Sequence, residues 1–225
     1  MKQRNLIVSL AAALALAACA TVPPQSQQLA ANFKAMQPTS GLAKEMTMGE
    51  AERIRDGLVA ELAASHGKVV GYKAGLTNPA VQKRFGTTSP VRGVLLEKML
   101  LDDGAEVPAK FGAIPFFEAD IVAVVKDEGI NQAKTPAEVI KHLSSIRPFI
   151  ELPDLVTAKE QPLSAAIITS FNVGARLGVL GKPIAATPEL ADALGKMTVV
   201  MRDQDGKELA RVPGAAILGH PLNAV

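Results

Sequence analysis

A chain without tryptophan and with a single tyrosine must build its interior from Val, Ile, Leu, Ala and Phe. Its one cysteine, Cys19, excludes an intramolecular disulfide and any cysteine-based zinc site. An excess of charge is missing too. There are 24 Lys and Arg against 22 Asp and Glu, and two of the basic residues, Lys2 and Arg4, stand ahead of Cys19, so the remainder is formally neutral. With no cluster of Lys and Arg and no interleaved aromatics, nothing in the chain points to nucleic acid. The longest apolar run, Leu6 to Ala18, is too short to span a bilayer, and no internal repeat is present.

That run has a different meaning. Lys2 and Arg4 supply a positive start, Leu6 to Ala18 an apolar stretch, and small residues lead into Cys19, which together make a targeting segment. Leu16-Ala17-Ala18-Cys19 resembles the lipobox of bacterial lipoproteins, in which the cysteine is lipidated and becomes the mature N-terminus; a plain secretory signal with an incidental cysteine is the alternative. The resemblance implies residues 1–18 as a signal peptide, Cys19 as a lipid anchor to a membrane, and a bacterial cell-envelope address. Residues 19–45, rich in Ala, Gln, Pro and Ser, are expected to form a tether and a loosely docked arm. Residues 46–225 then form one domain.

Local signals place several elements in that domain. Thr47 to Glu50 is a capping box, and Ala51, Ile54, Leu58 and Leu62 recur at helical spacing until His66-Gly67. Val69 to Gly75 and Val91 to Leu96 read as strands, with a short helix from Thr77 to Arg84 between them. Thr135-Pro136-Ala137-Glu138 is a second capping box with proline at the first helical position. Leu177 to Leu180 reads as a strand, Thr187-Pro188-Glu189 opens a helix, and Met197 to Met201 pairs with Glu208 to Val212 across Asp205-Gly206 as a hairpin. His66, His142 and His220 all fall where structural roles suffice.

Chemistry concentrates in Pro115 to Asp127. Glu118 and Asp120, at i and i+2 of a strand, project from the same face, and their repulsion must be offset by solvent, basic partners, a shared proton or a bound cation. The apolar run Ile121 to Val125 behind them predicts a strand buried on both faces. Lys73, inside a short apolar strand, is costly unless its ammonium meets an anion or reaches water along an edge.

The blocks GYKAGLTNPAVQKRFG, FFEADIVAVV, IRPFIELPD, FNVGARLGVLG and ILGHPLNAV, in that order, resemble the 2-keto-4-pentenoate hydratase branch of the fumarylacetoacetate hydrolase family from about residue 47 to residue 225. The resemblance implies an α+β fold on a mixed, rolled β-sheet, a multimer, and a small 2-oxo acid substrate. It also implies a divalent cation, Mg²⁺ or Mn²⁺, held by Glu118, Asp120 and Glu151, a set of hard oxygen donors suited to such ions. Lys73 falls on the family's catalytic lysine, Gly75, Leu76 and Thr77 on the turn that approaches substrate, and Asn172 on a residue that is either a substrate contact or a turn former.

Two departures stand out. Thr88 to Gly93 carries no carboxylate where classical hydratases have acids that help activate water, and the family's pattern would continue past Val225, so a C-terminally incomplete domain is expected. The readings are therefore a hydratase that adds water to a 2-hydroxydienoate, a 2-oxo acid decarboxylase of the same family, a lipid-anchored binding protein without turnover, or an interaction lipoprotein without metal. Cys19→Ser is expected to move the protein from the membrane pellet to the soluble fraction, as fractionation and immunoblotting would show; retention in the pellet would rule out Cys19 as the anchor.

Overall fold

The computed structural model describes residues 22–225, so residues 1–18, read above as a targeting segment, and Cys19 lie outside the described residues. Helix α1, Pro24–Ala35, begins on a proline whose missing N–H costs nothing at that position, and ends at Met36 in the left-handed region (φ 53°). Leu29, Ala30 and Phe33 are buried. The Ser26 hydroxyl donates to the Ile54 carbonyl (2.8 Å), and a Cβ on Gly57 would stand 2.5 Å from that hydroxyl oxygen. The expected loose arm is therefore corrected. An apolar stripe and a buried serine dock this stretch as a helix against α2, Met48–His66.

The Thr47 capping box is present as read. Thr47 Oγ1 accepts from the Glu50 amide (3.3 Å) and Glu50 Oε2 accepts from the Thr47 amide (2.8 Å), satisfying two otherwise free donors at the start of α2. Strand β1, Val69–Gly75, pairs antiparallel with β2, Val91–Leu96, after the intervening α3, Pro79–Arg84, which Asn78 caps. The rest of the chain runs through β3 (Leu100–Leu101), β4 (Glu118–Val125), α4 (Pro136–Val139), β5 (Leu143–Leu152), α5 (Ala165–Ser170), β6 (Leu177–Leu180), β7 (Ile184–Ala185) and α6 (Pro188–Lys196) to the hairpin β8 (Thr198–Arg202) and β9 (Glu208–Pro213).

Among the described residues the main sheet has the order β3-β6-β5-β4, with β7 also on β5; β3 and β6 are parallel and the other pairs antiparallel. The fold is α+β with a mixed sheet, as expected. One apolar core gathers α1, α2, β2 and α5, and a second lies under α4, β5 and α6.

Strand β4 departs from its expected burial. It pairs only with β5 among the described residues, and its exposure is intermediate along most of its length, with Val125 48% and the preceding Phe117 54% exposed. Ile121 and Ala123 pack on the second core, so one face is covered where the apolar run alone predicts two.

The segment entering β4 is fixed by a buried ion pair. Asp154, fully buried, accepts from the amides of Ala113 (3.0 Å) and Ile114 (2.7 Å) and from Arg176 Nη1 (3.1 Å). Arg176 also donates to the carbonyls of Phe111 and Phe33, and its guanidinium lies 4.2 Å from the Phe33 ring centroid. Removing one partner of a buried pair leaves the other charge uncompensated, so Asp154→Ala is expected to cost about 3–5 kcal/mol, checked by urea unfolding; a loss below about 1 kcal/mol would show that the pair is not structural.

Candidate active site

Three acids and one lysine meet on one side of the β4–β5 pair. Glu118 lies directly opposite Glu151 in the register, and Asp120, two residues further on, shares the face of Glu118. Facing carboxylates on neighbouring strands repel one another, so the arrangement is unfavourable without a cation. The structure supplies one from the first sheet: Lys73 Nζ donates to Glu151 Oε1 and to the Val173 carbonyl (2.9 Å). Both side chains of the ion pair are largely buried, at 12% exposure for Lys73 and 6% for Glu151.

Lys73 reaches this position because of two glycines. It is registered opposite Gly93, where a Cβ would stand 2.8 Å from Lys73 Cγ and 2.8 Å from the Asn172 carbonyl oxygen. Gly75 has a matching function, since a Cβ there would lie 2.4 Å from Val173 Cγ1. Val173 in turn sits in a strained turn. Asn172 (φ 60°), Val173 (φ 54°) and Gly174 (φ 69°) are successive left-handed residues, a conformation that costs a β-branched residue about 1–3 kcal/mol.

What holds that turn is Asn172. It is 1% exposed, its Oδ1 accepts from the Val94 amide (2.7 Å) and its Nδ2 donates to the Val94 carbonyl (2.8 Å). Of the two readings of Asn172, the structure has the turn former and not the substrate contact: the amide is spent on the backbone of β2, and the turn presents the Val173 carbonyl to Lys73. The Gly75-Leu76-Thr77 turn is likewise tied down. Leu76 (φ 56°) offers its carbonyl to Gln82 Nε2 (2.8 Å), and the Thr77 carbonyl accepts from the Leu218 amide (3.1 Å).

The acids respond to their surroundings. Burial first, and then the neighbouring Glu151, raise the Glu118 carboxyl above the usual range. Burial pushes Asp120 up to about 6, against the opposing bond from the Ile121 amide to Asp120 Oδ1 (2.8 Å), with Glu151 adding to the rise. The donor set suits a hard divalent cation in type and number. Among the described residues, however, no three His, Cys, Asp or Glu side chains form a ready-made cage for a metal ion. The physical reason is at hand: the Glu151 carboxylate is turned onto Lys73.

No histidine joins the cluster. His66 bonds Ser65 and packs edge-on to Phe33, His142 pairs with Asp127 (2.6 Å), and His220 accepts from the Leu222 amide (3.1 Å). A cavity of about 280 Å³ lies between the start of β4 and the β8–β9 hairpin, bordered by Phe117, Ala119, Val199, Met201 and Val212 with Glu118 at its margin. Alternation places Phe117 and Ala119 on the opposite side of β4 from Glu118 and Asp120, and of the three acids only Glu118 lines this cavity. Gly93 and Val173 escape the sequence reading. A glycine inside a strand is a recognised sign of close approach, which would have found the first; nothing local marks Val173.

No family model matches the chain. It is 33% identical over 157 residues to a 2-keto-4-pentenoate hydratase of Burkholderia vietnamiensis, covering 70% of this chain and 58% of that protein. It is 26% identical over 181 residues to a 4-oxalocrotonate decarboxylase of Pseudomonas putida, covering 80% of this chain and 67% of that one. The solved structure of 4-oxalocrotonate decarboxylase from Pseudomonas putida G7, complexed with magnesium and adipate, superimposes with a TM-score of 0.75 at 22% identity over 88% of this chain and 75% of the other. The two chains share a fold. The likeness read from the five sequence blocks is thus matched by relatives that carry the hydratase name, although the chain spans only about three-fifths of the first of them, 58% and 62% of their lengths.

A raised carboxyl pKa has a defined sign in stability. Asp120 at about 6 binds its proton more tightly folded than unfolded, so its contribution to stability is present below pH 4 and is lost as pH rises through 6. Without added metal, the difference in unfolding free energy between wild type and Asp120→Asn is expected to move against wild type by on the order of 3 kcal/mol between pH 4 and pH 7. Urea titrations across that range measure it, and a flat difference would place Asp120 in solvent.

Proposed function

We propose that the chain is a divalent-cation-dependent lyase acting on small 2-oxo acids, adding water to a 2-hydroxydienoate to give a 4-hydroxy-2-oxo acid. The observation that carries this reading is the convergence of Glu118, Asp120 and Glu151 on one face with the Lys73 amine among them. The names of the relatives support it, as does the magnesium in the neighbouring decarboxylase structure. A Mg²⁺ or Mn²⁺ ion held by the three carboxylates would supply Lewis acidity to the oxo-acid head. The chain's own contribution is the rest. Lys73, held at Nζ by the Val173 carbonyl, is placed to carry a proton to or from a carbon chain lying over the acids, and Gly93 and Gly75 make room for the Lys73 stem and the Val173 side chain.

Decarboxylation is the second reading, favoured by the absence of any carboxylate in Thr88 to Gly93 that could activate water. On the same view the domain, with α1 docked on it, works as a multimer and is carried at the cell envelope by Cys19; the lipobox-like Leu16 to Cys19 supports that address.

Saturating Mg²⁺ or Mn²⁺ is expected to raise the melting temperature of the wild type by about 5–10 °C and to leave Glu118→Gln unchanged. In the same buffer, the absorbance of a 2-hydroxydienoate should decay without release of carbon dioxide, and Lys73→Ala should slow the decay about 10²–10⁴-fold. Carbon dioxide evolved from a dicarboxylic 2-oxo acid would transfer the assignment to decarboxylation. No thermal response to either ion would end both readings.

A further inference from the structure

The site contains two claims on one carboxylate. Glu151 must turn toward Glu118 and Asp120 if the three are to hold a divalent ion, yet its carboxylate is bonded to Lys73. The pair is buried, the Lys73 stem is confined by its fit against Gly93, and Nζ has a second acceptor ready in the Val173 carbonyl at 2.9 Å. The amine can therefore release Glu151 without losing every hydrogen bond.

From this geometry we propose that Lys73 is an internal competitor for the divalent cation: it neutralises Glu151 when the ion is absent and surrenders it when the ion binds. The inference rests on the cation site proposed above. Its consequences run in both directions. The cluster stays partly neutralised without metal, so the protein does not need the ion to fold. The price is metal affinity, because each binding event must break a buried ion pair. The Lys73 amine, in turn, becomes free for chemistry only in the loaded protein, which ties proton transfer to cation occupancy.

Calorimetric titration of the full chain with Mg²⁺, and separately with Mn²⁺, tests this. Lys73→Met is expected to bind either ion at least tenfold more tightly than wild type, while Lys73→Arg, which keeps the charge, stays within about threefold. Wild type that binds metal while Lys73→Met binds it equally or more weakly would overturn the competitor role and leave the cation site standing. Absence of binding in both proteins would remove the site itself, whereas binding by Lys73→Met alone would mean that Lys73 wholly outcompetes the ion. Should Lys73→Met fail to fold, amine labelling of the wild type with an acetylating reagent gives a separate reading by peptide mass spectrometry. Labelling of Lys73 is expected to rise several-fold when Mg²⁺ is added, and unchanged or reduced labelling overturns the proposal.

Discussion

One buried ion pair, Lys73 with Glu151, joins the two halves of the molecule. The lysine comes from the small β1–β2 sheet, which belongs to the core built with α1, α2 and α5; the glutamate comes from β5 in the middle of the main sheet. Around it the electrostatics are adverse. Glu118 stands opposite Glu151 and Asp120 lies beside them, so the face carries three acids for one amine. A structure tolerates that arrangement only where protons, or a cation, can take up the excess.

The lysine could not be held there by the strand alone. Its second acceptor is the carbonyl of Val173, exposed by a turn in which three successive residues adopt left-handed backbone angles. Strain of this kind persists only when its surroundings over-determine it. The Asn172 amide does so by bonding both backbone groups of Val94, and Gly75 does so by leaving a space for the Val173 side chain. The ammonium is thus positioned by a chain of contacts that begins two residues further along its own strand.

How much of this was legible in the sequence differs by element. Capping boxes at Thr47 and Thr135, the Asp205-Gly206 hairpin and the β1 and β2 strands rest on side-chain chemistry within four or five residues, and each is present in the fold. Pairing Glu118 with Glu151 across 33 positions is a tertiary fact, and only the family resemblance pointed to it. Helix α1 was misread because its Ala- and Gln-rich composition looks like a linker; its docking depends on Gly57, on another helix, making room for Ser26. The exposure of β4 was misjudged because an apolar run does not say whether anything packs on its second face. For Asn172 two readings stayed open, substrate contact or turn former, because a buried amide bonded to backbone and an amide facing a ligand look alike in a motif.

Arg176 has a mechanical consequence. The one guanidinium grips the end of α1 at Phe33, the loop at Phe111, and Asp154, whose other bonds hold the approach to β4. The seating of the leading helix and the entry of the acid-bearing strand therefore share a single side chain, and Arg176→Ala would withdraw support from both.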